Sequence, residues 1–398
     1  MILAWLFAIV FVYLAYKKPV WALGLILALT PTYLIRFNFF GLPSTLLEVL
    51  IGLFLFATLS KLGEKRLLEF RNLGKINWAV LLFLLAGILS TIVSPDHTKA
   101  LGELKAFIVE PILLFYTCIW VLKKAEDKKT VFRLIFTAAT LISVFGIIQY
   151  FTFIDLPIRF WGTGFEIERI TSVFEYPNAL ALYLAPLFIF FATLWLNKFR
   201  LYTKTWVEPL GLGLMAWALL LTFSRGAWFA VIVMSLILIL KKYSWKKVVP
   251  ALFLLLILLL LINPIRQRVF LGLTDPASLA RGDLMKVGIN KIIHSPFLGN
   301  GLYGFPTTLR QANFTGEILN YPHNIFLNFW LELGLLGLIA FGWIIYLCSE
   351  QLKKHPDLVK FASGMFLFTL IIHGLVDVPY FKNDLSVLFW YITALFFV

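Results

Sequence analysis

Thirteen apolar segments divide this chain, near residues 2–16, 20–35, 43–60, 77–94, 103–122, 131–153, 177–197, 208–223, 226–240, 248–262, 324–348, 359–376 and 384–398. A helix crosses the hydrocarbon core with about 20 mostly apolar residues, and tilt accommodates departures from that length. The first two segments and the last are short. The expectation is therefore an all-α, polytopic integral membrane protein with twelve or thirteen transmembrane helices. Composition agrees: 61% of the 398 residues are apolar and 14% are charged, whereas a soluble domain carries roughly 25% charged residues.

Charge gives an independent check, because lysine and arginine accumulate in cytoplasmic loops. Every second loop is basic: Lys17 and Lys18, then 61–75, 123–133, 198–204, 241–247 and 353–360 together hold 22 of the 35 basic residues. The other 13 fall in the alternate loops, six of them between Asn263 and Pro322. This alternation places the C-terminus inside and, with thirteen spans, the N-terminus outside. The segment Met1 to Tyr16 lacks a basic leader and a small-residue cleavage site, so it reads as a retained span. The net charge of +14 then suits anionic membrane lipids and gives no reason to invoke nucleic acid. Cys118 and Cys348 lie within or at the end of apolar helices and form neither a disulfide framework nor a metal site.

The outer loops differ in kind as well as in number. Arginine supplies eight of their 13 basic residues but only four of the 22 inside. A guanidinium pairs bidentately with phosphate or carboxylate, whereas inner lysines need only follow the insertion rule. Arg225, in Thr-Phe-Ser-Arg-Gly-Ala-Trp, stands at a hairpin tip between two apolar runs, where Gly226 permits a tight turn. A charge so near hydrocarbon points to function, with snorkelling to the interface as the bland alternative. Arg169 precedes Tyr176-Pro177-Asn178 at a helix start, a position that favours anions, and it reads equally as an ion-pair partner of Glu166 or Glu168.

The loop 263–322 begins with Arg266 and Arg268 and continues through Arg281. Leu284, Val287, Ile289, Ile292 and Ile293 approximate one face of an amphipathic helix lying on the bilayer. Pro296 ends that helix, and Gly299, Gly301 and Gly304 turn the chain back toward the membrane. His323, in Tyr-Pro-His-Asn, is the histidine best placed for proton transfer, although it also reads as a helix-start residue bonded to backbone. His97 and His294 are outer-loop alternatives, His355 faces the cytoplasm, and His373 lies inside a span close to Asp377. No pair has helix-borne metal spacing.

Three stretches resemble, in the expected order, the shared core of the O-antigen ligase and polymerase superfamily of polytopic sugar transferases. They are Thr222 to Trp228, Ser295 to Phe305 with Arg281 upstream, and His323 to Gly337. The resemblance implies a GT-C-like membrane architecture divided into N-terminal helices 1–153, a ligase-like catalytic core 154–380 that includes the periplasmic loop 263–322, and a C-terminal segment 381–398. It also implies a multi-pass protein of the bacterial inner membrane with its active site facing the periplasm. The expected partners are an undecaprenyl-diphosphate-linked glycan donor, a lipid A core acceptor and membrane lipids, with no cofactor and no metal. By motif position His323 is the general base, Arg225, Arg169 and Arg281 bind the donor diphosphate, and Asn324, Asn178 and Asp377 support them. Inversion at the anomeric carbon follows from direct displacement. A polymerase using the same donor is the alternative, but no outer-loop arginine here has the glycine eleven positions later that polymerases often carry. A transporter or flippase of a lipid-linked anion would share the arginines and would need no base at His323.

Overall fold

The structure, a computed structural model, describes residues 2–39, 42–61, 73–162, 167–270 and 276–398. Its described residues form seventeen α-helices and one small hairpin. In chain order the helices are α1 (Ile2–Lys17), α2 (Pro19–Ala28), α3 (Leu46–Leu59), α4 (Lys75–Val93), α5 (His97–Glu103), α6 (Glu110–Val121), α7 (Ala125–Thr152), α8 (Pro177–Leu196), α9 (Val207–Leu221), α10 (Arg225–Leu240), α11 (Trp245–Leu260), α12 (Asn263–Phe270), α13 (Pro276–His294), α14 (Phe305–Gln311), α15 (Ile325–Lys354), α16 (Leu358–Gly374) and α17 (Asn383–Ala394). The hairpin pairs β1 (Arg36–Phe39) antiparallel with β2 (Leu42–Thr45).

Each of the thirteen apolar segments contains a helix, and five are long and apolar enough to cross a membrane alone: α4, the continuous stretch His97–Val121, α7, α8 and α15. The chain is thus an all-α, multi-pass membrane protein. The count of twelve or thirteen full spans is not reproduced by length, because the remaining apolar helices have 10 to 17 residues. Such helices cover about 15–25 Å, less than the roughly 30 Å hydrocarbon core. Two shortenings have visible causes. The segment expected at 20–35 ends at Ala28, turns through a 3-10 stretch and enters the hairpin. The last helix has all twelve residues buried, so it is a strut inside the protein and owes no length to the bilayer.

That strut is held by a widened turn. Between α5 and α6 the helix passes through a π turn at Leu104–Val109, which leaves carbonyls without their usual helical donors. Tyr380 Oη donates to the Phe107 carbonyl at 2.7 Å, and Trp390 Nε1 donates to Tyr380 Oη at 3.0 Å. Phe83, Phe115 and Phe389 meet these rings edge to face, and Phe329 packs tilted against Tyr380. Within lipid, where expelling water contributes little, such close packing is the main force between helices.

The helix α15 is broken at Gly334, whose φ of 66° and ψ of -174° are non-helical. The segment that follows α13 repairs the break. Leu335 N–H donates to the Phe297 carbonyl at 3.0 Å, Asn300 N–H donates to Leu331 at 2.7 Å, and Ser90 Oγ from α4 donates to the Glu332 carbonyl. A Cβ at position 334 would strike the Phe297 carbonyl oxygen.

The expected amphipathic helix is α13, with a different orientation. Leu284, Gly288 and Ile292 are buried, and Gly288 packs against Leu327 and Leu331 of α15. Ile289 and Ile293 are exposed. Its apolar residues therefore split between docking on the protein and facing outward, and the docked face fixes where Arg281 points.

Gly334→Ala is expected to lower stability by at least about 2 kcal/mol, since a left-handed backbone strains any side chain and the new methyl meets backbone rather than a flexible side chain. Gly342→Ala, on the same helix with open space around its Cα, should be neutral or stabilise by up to about 1 kcal/mol. Thermal unfolding of the two variants in detergent checks the difference.

Candidate active site

The starts of α8, α10, α15 and α17 and the end of α16 come together at one end of the helix layer. His323 stands immediately before α15 with a φ of 56°. The next residue, Asn324, caps the helix, its Oδ1 accepting from Leu327 N–H at 3.0 Å while its Nδ2 donates to the Leu375 carbonyl at 3.1 Å. This second bond ties the start of α15 to the end of α16, and it sets His323 beside Asp377. His323 Nδ1 lies 3.2 Å from Asp377 Oδ1, with side-chain exposures of 14% and 4%.

Asp377 is itself fixed, since its Oδ1 accepts from Val378 N–H at 2.9 Å and its Oδ2 from Asn178 Nδ2 at 3.4 Å. Burial opposes its charge, but the His323 hydrogen bond and the nearby Arg281 outweigh burial and hold the carboxyl below its usual range. An ionised Asp377 accepts the Nδ1 proton of His323, which leaves Nε2 as the proton acceptor.

Asn178 passes the network on. Its Oδ1 accepts from Arg169 NH2 at 2.9 Å, and Arg169 Nε donates to the Thr222 carbonyl at 2.9 Å. Arg169 is positioned by its backbone, which donates to Phe160, and by the turn that follows it. There the buried Gln149 of α7 accepts from the N–H groups of Thr171 and Ser172 at 2.9 and 2.8 Å. Of the two carboxylates expected to compete for Arg169, Glu166 lies outside the described residues, and Glu168 forms no ion pair with it among the described residues.

A second group of arginines lies behind this chain. Arg225, Arg268 and Arg281, from α10, α12 and α13, line one tight pocket with Asn178, His373 and Asp377. Arg268 Nε donates to the Phe223 carbonyl at 3.1 Å, within the turn that presents Arg225. Gly226 is needed for close approach, because a Cβ there would lie 2.6 Å from Val376 Cγ2 and 3.2 Å from the His373 ring. Both ring nitrogens of His373 are buried without a hydrogen-bond partner among the described residues.

On the other side of Asn178 a cleft of about 1200 Å³ opens, lined by His323 and Arg169 together with Arg36 and Arg159. Tyr176 and Tyr321 share a hydrogen bond of 2.7 Å on its wall, and burial pushes both phenols up, so they stay neutral. Lys382 lies 4.1 Å from the Tyr176 ring centre; burial lowers its ammonium, with Asp384 opposing. Among the described residues no group of three metal-ligating side chains converges.

The structure thus brings together all seven residues expected from sequence: His323, Arg225, Arg169, Arg281, Asn324, Asn178 and Asp377. It divides the arginines, with Arg169 in the cleft and Arg225 and Arg281 in the pocket, and Asn178 borders both. Sequence reasoning did not assign Arg268, His373, Gln149 or the tyrosine pair. Arg268 carried a signal, as an arginine on the loop already singled out; His373 and the two tyrosines stand beside residues named from sequence, but only the fold shows what they touch, and Gln149 sits in an apolar helix with nothing local to mark it.

A family model described as O-antigen ligase matches residues 210–342. The chain is also similar to the O-antigen ligase of Salmonella typhimurium, with 23% identity over 379 residues that span 88% of each protein. The family match contains Arg225, Arg268, Arg281 and His323. On these two matches and the fold that carries the site, the chain is similar to the O-antigen ligase superfamily.

Proposed function

We propose that the protein is a glycosyltransferase that moves a glycan from undecaprenyl diphosphate to a hydroxyl of a lipid A core, at the periplasmic face of the bacterial inner membrane. The observation that carries this reading is the continuity of the site. One residue, Asn178, joins a buried His–Asp pair facing a large cleft to a pocket of three arginines. A base and an anion sink side by side are what displacement of a diphosphate by a hydroxyl requires.

In this reading Asp377 orients His323, and Nε2 takes the proton of the acceptor hydroxyl as its oxygen attacks the anomeric carbon. The carbon–oxygen bond to the diphosphate breaks, and its electron pair leaves with undecaprenyl diphosphate. Arg225, Arg281 and Arg268, with Arg169 across Asn178, stabilise the charge that grows on the leaving phosphate. Attack opposite the leaving group inverts the anomeric centre. The basic loops 123–133, 198–204 and 241–247 support an orientation with the site on the opposite side from the cytoplasm.

Transfer from undecaprenyl-diphosphate glycan to purified lipid A core is the direct test, run with the full chain in detergent or vesicles. His323→Ala should lower kcat by about 10²- to 10⁴-fold. Asp377→Asn should lower kcat, because it disturbs the His323 tautomer, and should also shift donor KM, because it removes a negative charge from among the arginines. Lengthening of the donor glycan in place of transfer to the core would make the protein a polymerase. Movement of the lipid-linked donor across vesicles without glycan chemistry, insensitive to His323→Ala, would make it a transporter.

Arg225→Ala should lower kcat/KM for the donor by about 10²- to 10³-fold, and Arg225→Lys should restore only part of it, since an ammonium lacks the planar fork. Equal activity of the lysine variant and wild type would remove diphosphate recognition from Arg225.

A further inference from the structure

The cleft that holds His323 carries charges of both signs. Arg36, Arg159 and Arg169 line it, Arg36 within 3.6 Å of Glu175, and so do Glu103 and Glu332, with Tyr303 and Asn328. Asn328 and Glu332 are one helical turn apart on α15 and share a face, and His323 stands just before the start of that helix, about 13 Å from Glu332 along its axis. Glu103 arrives from α5 and lines the same cleft. The Tyr303 backbone N–H donates to Glu332 at 2.6 Å, so the segment that repairs the break in α15 also fixes this carboxylate.

The cations of this part of the cleft are occupied elsewhere. Lys105 pairs with Glu48 at 2.9 Å, and Lys99 pairs with Asp96 at 3.6 Å and donates to Tyr303 Oη at 3.2 Å. Among the described residues neither Glu103 nor Glu332 forms an ion pair within 4.0 Å. Asn328, 1% exposed, keeps its Oδ1 buried with no hydrogen-bond partner among the described residues. A buried amide oxygen left unbonded costs about 1–3 kcal/mol, so its retention on a cavity wall points to a ligand that donates to it.

We propose that Glu103, Asn328 and Glu332 form a binding subsite for an uncharged sugar ring of one of the two glycan substrates. The inference rests on the transferase reading for the identity of its ligand. Carboxylates and an amide oxygen accept hydrogen bonds, which suits the dense donor array of sugar hydroxyls. Phe107 and Phe381 complete the wall and offer apolar faces against which the C–H face of a sugar can rest, the mixture of apolar walls and few fixed polar groups typical of a small-ligand site.

The test uses the full-length protein in detergent with two soluble probes: lipid-free core oligosaccharide, and free O-antigen repeat units released from their carrier. Binding of each by calorimetry is compared for wild type, Asn328→Leu and Glu103→Gln, alongside KM for the lipid-linked donor and for the acceptor. Both variants should weaken one probe at least tenfold and raise the matching KM, while the unfolding temperature stays within a few degrees of wild type. Loss of the core oligosaccharide assigns the subsite to the acceptor, and loss of the repeat unit assigns it to the donor. Binding of both probes within twofold of wild type, a fall in kcat with both KM values unchanged, or no binding of either probe to wild type at millimolar concentration would overturn the subsite. Wild type that binds a probe but transfers nothing would defeat the reaction and leave the subsite standing. Transfer by wild type with unaltered binding in the variants would do the reverse.

Discussion

Backbone groups cannot be left unbonded at membrane depth, and the break in α15 turns that rule into architecture. Once Gly334 interrupts the helix, Leu331, Glu332 and Leu335 expose polar groups that must find partners. They find them in residues 297–300 and in Ser90 of α4. The loop is therefore bound to the membrane helices by the strongest local requirement available, not by side-chain preference. From this follow the placement of α13 against Leu327 and Leu331, the direction of Arg281, and the fixed position of Tyr303 over Glu332.

The charges of the site are arranged by the same economy of space. A buried ion pair is costly unless its remaining hydrogen-bonding capacity is met. Asp377 meets it three ways, through His323, Val378 N–H and Asn178. Its negative charge also lies among Arg225, Arg268 and Arg281, which allows several cations to share a pocket in the absence of substrate. The carboxylate thus orients the base and separates the arginines at once.

Much of this was legible in the sequence, for identifiable reasons. Apolar runs and alternating basic loops reveal helices because insertion into a bilayer reads those features directly. Arg225 stood out because a charge on a two-residue turn between apolar runs has no bland surroundings, and His323 because a proline and a helix cap frame it. What stayed hidden depends on contacts distant in sequence. Gly334 looks like any glycine in an apolar run until the Phe297 carbonyl is seen against it. Gln149 is one polar residue in a long helix, and only the fold shows it holding Thr171 and Ser172. Periodicity marks the apolar side of α13 without saying whether lipid or protein covers it, and the fold shows Leu284 and Ile292 buried with Ile289 and Ile293 exposed.

Asn178 and Asp377 lie outside the segment that matches the family model, on α8 and beyond α16, whereas the histidine and three arginines lie within it. The site is consequently not a module. A segment exchanged between relatives at the borders of the match would carry the base and the cations while leaving behind the amide and carboxylate that aim and space them. Helices flanking the recognisable core thus carry part of the geometry of the site, and a change in them reaches His323 through Asn178 and Asp377.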